Sequence, residues 1–152
     1  MRIDRAFRVV AAPCERVFQA FIKPDQIVRW LPPAGARAIL DEFEPTPDGR
    51  FRMTLVFGGG GSEKGKTSEN TDTVDGKFLE VVPPHHIVQQ FTFVSDNPSF
   101  AGTMRMTWTL AERTEGTLVG VAAENVPEGI SPEAHQVGMA SSLENLATYV
   151  EN

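Results

Sequence analysis

The run Asp75-Gly76-Lys77-Phe78-Leu79-Glu80-Val81-Val82-Pro83-Pro84-His85-His86-Ile87-Val88-Gln89-Gln90-Phe91 constrains the fold of this chain more than any other. Proline has no N–H to give to a sheet ladder, so Pro83-Pro84 must stand outside one. On either side the run is rich in Val, Ile and Phe, which suit a pleated, half-buried surface. The pattern predicts strand, corner, strand. Nothing between the two strands is long enough for a helical crossover, so they must pair antiparallel.

The same texture fills most of the chain. Strands are expected over 3–10, 37–44, 50–57, 71–82, 87–94, 102–110 and 117–125. Between them stand Pro47-Asp48-Gly49, the glycines at 58 to 61, Pro83-Pro84, Asp96-Asn97-Pro98 and Glu115-Gly116. After the first strand Val17, Phe18, Phe21 and Ile22 fall at helical spacing. Pro24-Asp25 opens a second short helix, which carries Ile27, Trp30 and Leu31 and stops at Pro32-Pro33. The period changes for good at Ser131-Pro132-Glu133: an N-cap serine, a proline at the first helical position and an acid in the first turn. From there His135, Met139, Ser142, Leu143, Leu146 and Val150 share one stripe of a helix running to about Glu151.

Strand parity divides the sheet into two faces. Ile87, Gln89, Phe91 and Phe93 lie together, as do Met104, Met106, Trp108 and Leu110, and Phe51, Met53, Leu55 and Phe57. The opposite positions include Arg52, Thr54, Thr103, Arg105, Thr107 and Thr109, which suit water. A one-sided sheet must cover its apolar face, and the long C-terminal helix is the element that can do so. Met fills irregular space and adapts to shape, so this face can be solid core or the wall of a cavity. Asp41, Gln89 and Asn125 are polar residues whose parity is expected to turn them inward, where they would orient a ligand in apolar surroundings.

At 152 residues the chain is expected to form one domain, 1–152, with a substantial core. Net charge is −6, from 20 acidic and 14 basic residues, which speaks against nucleic acid or an anionic membrane as partner. A single cysteine, Cys14, excludes an internal disulfide. The charged start Met1-Arg2-Ile3-Asp4-Arg5 lacks the apolar core of a signal peptide, and no run approaches the length of a membrane span. The expected location is the cytoplasm.

Several segments together resemble a family. Ala12-Pro13 with Val17-Phe18-Ala20-Phe21, then Pro24-Asp25 and Trp30, is similar to the opening of the activator-of-heat-shock-protein-90-ATPase-like family, part of the START-related, helix-grip superfamily. Asp48-Gly49-Arg50-Phe51-Arg52-Met53 resembles its glycine-glycine-arginine-phenylalanine strand, and 76–84 resembles its most recognisable motif. Gly116-Thr117 and the last helix, with Gly138 and 143–146, complete the order over nearly the whole chain. The resemblance implies an α+β helix-grip fold: a curved antiparallel sheet around a long C-terminal helix, with two short helices between the first two strands. It also implies a cavity between sheet and helix for a small hydrophobic or amphipathic molecule, with no turnover and no cofactor. The alternative it carries is a co-chaperone-like module acting on a protein partner through its surface. In either case the ATPase of the family name is the chaperone, not this domain. Where relatives often carry Gly-Trp in the last helix, this chain has Gly138-Met139.

The expected ligand wall is Phe21, Trp30, Phe43, Phe51, Met53, Phe91, Met104, Met106, Trp108 and Met139, with Gln89, Asn125 and His135 as polar contacts. Other motifs read as structural. Gly60-Gly61-Ser62-Glu63-Lys64-Gly65-Lys66-Thr67 has the letters of a phosphate-binding loop, yet no apolar helical period follows Thr67, and that site needs a helix N-terminus. His85-His86 beside Pro83-Pro84 reads as a solvated turn, and with one other histidine and one cysteine no metal cluster is expected. Cys14 has no basic partner to activate it and reads as structural.

Overall fold

The computed structural model describes residues 2–33, 35–58 and 70–151. The elements follow in the order β1 (Ile3–Val10), α1 (Cys14–Ile22), α2 (Pro24–Trp30), β2 (Ala36–Phe43), β3 (Arg50–Phe57), β4 (Thr71–Val82), β5 (His86–Phe93), β6 (Met104–Arg113), β7 (Gly116–Glu124) and α3 (Pro132–Glu151). A short 3-10 turn over Pro98–Phe100 joins β5 to β6. The seven strands make one antiparallel sheet in the order β1-β7-β6-β5-β4-β3-β2. From β2 to β7 it is a meander of neighbours. β1 and β2 are successive in sequence but lie at opposite edges, so α1 and α2 carry the chain across the concave side. The fold is the α+β helix-grip arrangement.

Local chemistry sets the corners. The Pro83–Pro84 peptide is cis, and the turn closes when the His85 N–H donates to the Val82 carbonyl at 2.8 Å. Gly116 opens β7 at φ 142°, a conformation side chains rarely adopt, and a Cβ there would meet the Val10 carbonyl. β6 runs on to Arg113 rather than ending at 110, because Ala111, Glu112 and Arg113 find partners in Leu118, Thr117 and Gly116. Bulges interrupt β2 between Leu40 and Glu42 and β4 between Phe78 and Glu80.

The Ser131 hydroxyl accepts the Ala134 N–H at 3.0 Å and caps α3 as its sequence predicts. Met139, Leu143, Leu146, Ala147 and Val150 are buried along its inner stripe. α3 packs against β1, α1 and α2. Polar tethers fix it lengthwise. The Ser142 hydroxyl donates to the Leu31 carbonyl at 3.1 Å, and the Asn145 amide donates to the Pro32 carbonyl at 3.1 Å. At the far end the Ala11 N–H donates to the Glu151 carboxylate at 2.9 Å. Ser142 thereby satisfies the carbonyl of Leu31, the residue that caps α2, and Asn145 that of Pro32 just beyond it.

Candidate functional site

Two aromatic clusters organise the inner side of the sheet. In the first, Phe21 of α1 lies 4.9 Å from Trp30 of α2 and 5.0 Å from Trp108 of β6, and the two tryptophans are 5.8 Å apart, all edge to face. The Trp30 indole N–H donates to the Ala20 carbonyl at 2.8 Å, so its polar atom is satisfied in the core. The second cluster crosses the sheet: Phe43 to Phe78 at 5.8 Å, Phe78 to Phe51 at 5.3 Å, Phe51 to Phe91 at 5.9 Å and Phe91 to Phe93 at 6.0 Å. Gly76 makes room for it. It faces Phe51 on one side and Phe91 on the other, and a Cβ there would meet the Gln90 carbonyl and the Phe91 backbone.

The clusters differ in what covers them. Phe21, Trp30 and Trp108 are buried beneath the short helices. Across the sheet the inward residues alternate between sealed and half-buried. Phe51, Phe78, Phe91 and Met104 are buried. Leu40, Phe43, Met53, Leu55 and Met106 are only half-buried, although register places them on the same inner face. Gln89 stands there too, half-buried, opposite Phe78 and Met106. Its inward parity is as the sequence predicts.

A family model described as activator of Hsp90 ATPase homolog 1-like protein matches residues 11–151. The chain belongs to that family. A protein of known structure from Chromobacterium violaceum is similar at 31% identity, covering 99% of this chain and 97% of its own, with a TM-score of 0.87. A protein from Silicibacter pomeroyi that carries the family's name superposes with a TM-score of 0.80 at 18% identity, over 99% and 98% of the two chains. One from Rhodobacter sphaeroides gives 0.79 at 20% identity over 99% and 98%. At such low identity the last two show the fold alone. The comparison with curated proteins gives no match.

The activator-of-Hsp90-ATPase-like fold brings most of the expected wall residues to one face, but of the expected polar ones only Gln89. Asp41 was expected inward. It sits at the β2 bulge, exposed, and accepts from the Thr54 hydroxyl at 3.5 Å on the outer face. The extra residue of the bulge breaks the parity that placed it inside. Asn125 follows the last residue of β7, exposed, with φ 57°, and its amide donates to the Thr103 carbonyl at 2.7 Å. It closes a corner rather than standing among the rings.

His135 is tied to β1. Its Nδ1 lies 2.7 Å from the Asp4 carboxylate, which also accepts from Arg2 at 2.8 and 3.1 Å. Asp4 is 9% exposed, on the inner parity of β1 opposite Ala123. The Arg2 guanidinium, with His135 beside it, holds the Asp4 carboxyl below the usual carboxylate range against the opposing effect of burial. His135 therefore fastens the first turns of α3 to the sheet edge. Met139, the next inward residue of α3, is 5% exposed and belongs to the core.

Sequence reasoning missed three residues of this region. Phe78 joins the rings of β2 and β3, and its parity with Val74 and Gly76 would have found it. Asp4 is on the inner side by simple alternation with Ala6 and Val10. Asp72 is a buried acid on the inner parity of β4, opposite Leu55. The phosphate-loop lookalike at Gly60–Thr67 lies outside the described residues. Cys14 is buried at the start of α1, where the Thr117 hydroxyl reaches its sulfur at 3.4 Å and the Ala12 carbonyl at 2.7 Å. His85 is exposed, and His86 lies 3.3 Å from Glu80.

Two open grooves mark the described surface elsewhere. One, of about 430 Å³, runs along 11–14 and 112–116. The other, of about 490 Å³, lies between α2 and α3 at Arg29, Asn145, Thr148 and Tyr149. Neither includes an expected wall residue. Among the described residues no group of His, Cys, Asp and Glu could hold a metal ion, and no helix is long and apolar enough to cross a membrane.

Proposed function

We propose that the chain is a single START-like binding domain that takes a small hydrophobic or amphipathic molecule against the inner face of β2, β3, β5 and β6, without chemical turnover. One observation carries the reading: Leu40, Phe43, Met53, Leu55 and Met106 point to the concave side and yet stay half-buried. Apolar side chains so placed gain when another apolar surface covers them. The family typically binds hydrophobic ligands, which supports the same conclusion. Gln89 supplies a polar contact within the apolar wall, as ligand sites commonly have. The domain works in the cytoplasm and carries no ATPase activity of its own.

A second reading, a module acting through its surface on another protein, is favoured by the outer face of β1, where Ile3, Phe7 and Val9 are exposed. Titration with an apolar fluorescent dye, anilinonaphthalene sulfonate, separates the two. Saturable binding to the folded protein is expected, weakened about tenfold by Met106→Gln, a loss of roughly 1.4 kcal/mol. Phe7→Ser should leave it unchanged. Dye binding absent from the wild type, or lost in Phe7→Ser and kept in Met106→Gln, overturns the ligand reading.

A further inference from the structure

We propose that the free edge of β2 is a contact between two copies of this chain, paired β2 to β2, antiparallel, about a two-fold axis at Ile39. Among the described residues β2 is the last strand of the sheet and has a partner on one side only, β3. An edge strand offers a row of backbone donors and acceptors that another strand can complete. Which residues offer them follows from the ladder. The Gly58 N–H donates to the Gly35 carbonyl at 2.8 Å. Antiparallel alternation then turns the backbone groups of Arg37 and Ile39 toward β3 and those of Ala36, Ala38 and Leu40 toward the free side.

The side chains choose the partner. Arg37, Ile39 and Asp41 are all exposed and share the outer face. Arg37 has no hydrogen-bond or ion-pair partner among the described residues. The order is cation, aliphatic, anion at every second residue, so it is complementary to its own reverse. Before the bulge only residues 36, 38 and 40 can exchange backbone bonds with a second copy, which restricts the register there. Centred on Ala38, the pairing sets Arg37 against Ile39. Centred on Leu40, it sets Ile39 against Asp41. Centred on Ile39, it sets Arg37 of each copy against Asp41 of the other and Ile39 against itself.

In that last register Ala38 and Leu40 of one copy exchange backbone bonds with Leu40 and Ala38 of the other. On the inner side Ala38 then meets the second copy's Leu40, and the apolar faces of the two sheets become continuous. Charges and bulges on an edge ordinarily block pairing with other strands. The bulge after Leu40 ends the ladder and keeps the contact short. The charges reject a foreign strand while admitting an inverted copy of the same one, since directly opposed charges stabilise or destabilise a strand pair according to sign.

Sedimentation over a range of concentrations tests this. The wild type should show a monomer–dimer equilibrium that weakens as salt rises. Arg37→Asp and Asp41→Arg, each of which sets like charges face to face on both sides of the axis, should each raise the dimer dissociation constant by about tenfold or more. The double variant Arg37→Asp/Asp41→Arg restores opposite charges in the same register and should recover most of the affinity. All these side chains are exposed, so far-UV circular dichroism should be unchanged throughout. A wild type that stays monomeric at every concentration overturns the proposal. So does a dimer indifferent to the single swaps, or one that the double swap fails to rescue.

Discussion

The two halves of the inner sheet face are made of similar residues but are closed differently. On the β1–β7 side, Val10, Val119 and Leu146 are wholly buried, with Val121, Leu143 and Ala147 nearly so, because α3 lies directly on that edge. On the β2–β3 side, Leu40, Phe43, Met53 and Leu55 point the same way and remain half-buried. Hydrophobic side chains on a helix or strand face define where a core can form. They do not say how much of it another element will reach. A helix of 20 residues is one strip set against a sheet of seven strands, and side-chain tethers at Leu31, Pro32 and Ala11 fix the strip toward the β1 side. The sealed half supplies stability. The half-open half is where an added apolar surface would gain most.

That contrast can be broken by mutation. Trp30→Ala should be the most damaging change, at about 3–5 kcal/mol, since it empties the centre of the sealed aromatic cluster. For a chain of this length the midpoint of thermal unfolding should fall by roughly 6–20 °C. A change of only a degree or two would mean that the sealed half is not the stability core.

Asp4→Ala should come next. It removes a buried carboxylate bonded to Arg2 and His135, worth about 1–3 kcal/mol. Its pH dependence has a definite sign. The folded carboxyl titrates below its unfolded value, so its contribution is whole above about pH 4 and is lost as pH falls through the folded value. Wild type and Asp4→Ala should therefore differ most in denaturant midpoint near neutrality and converge in strong acid. Curves that stay parallel down to the lowest pH would show that charge at Asp4 does not hold α3 to β1.

Met53→Ala should be the mildest, at about 1 kcal/mol, because a half-buried side chain has less apolar area to lose. It should lower dye affinity more than it lowers stability. A cost equal to that of Trp30→Ala, with dye binding unaffected, would erase the distinction between the halves.

Much of the fold was legible in the chain itself. Period-two alternation and Gly/Pro punctuation place all seven strands, and Ser131-Pro132 starts α3 where the period changes. These signals are local: each depends on residues a few positions apart. Boundaries slipped where pairing decided them, as at Ala111–Arg113, which continue as strand because β7 lies opposite. Parity failed at Asp41, where a bulge that no local pattern marks resets the alternation. Among the expected site residues most of the large apolar ones, and Gln89, gathered on one face. Asn125 and His135 went instead to a corner and to an ion-paired latch, since a polar side chain takes whichever partner the fold brings within reach.

The sequence by itself determined which side of each strand is apolar, where helix follows strand, and that one long helix must cover a one-sided sheet, because those properties are set by side-chain period and by proline, glycine and capping chemistry along a short stretch of chain. Only the tertiary structure decided which part of the apolar face α3 seals, that Asp4 would hold His135, that Phe78 would join the rings of β2 and β3, and that β2 would be the outermost of the described strands beside β3. Each of these depends on groups far apart in the chain being brought together, and their distances and exposures exist only once the sheet has curved and the helix has docked.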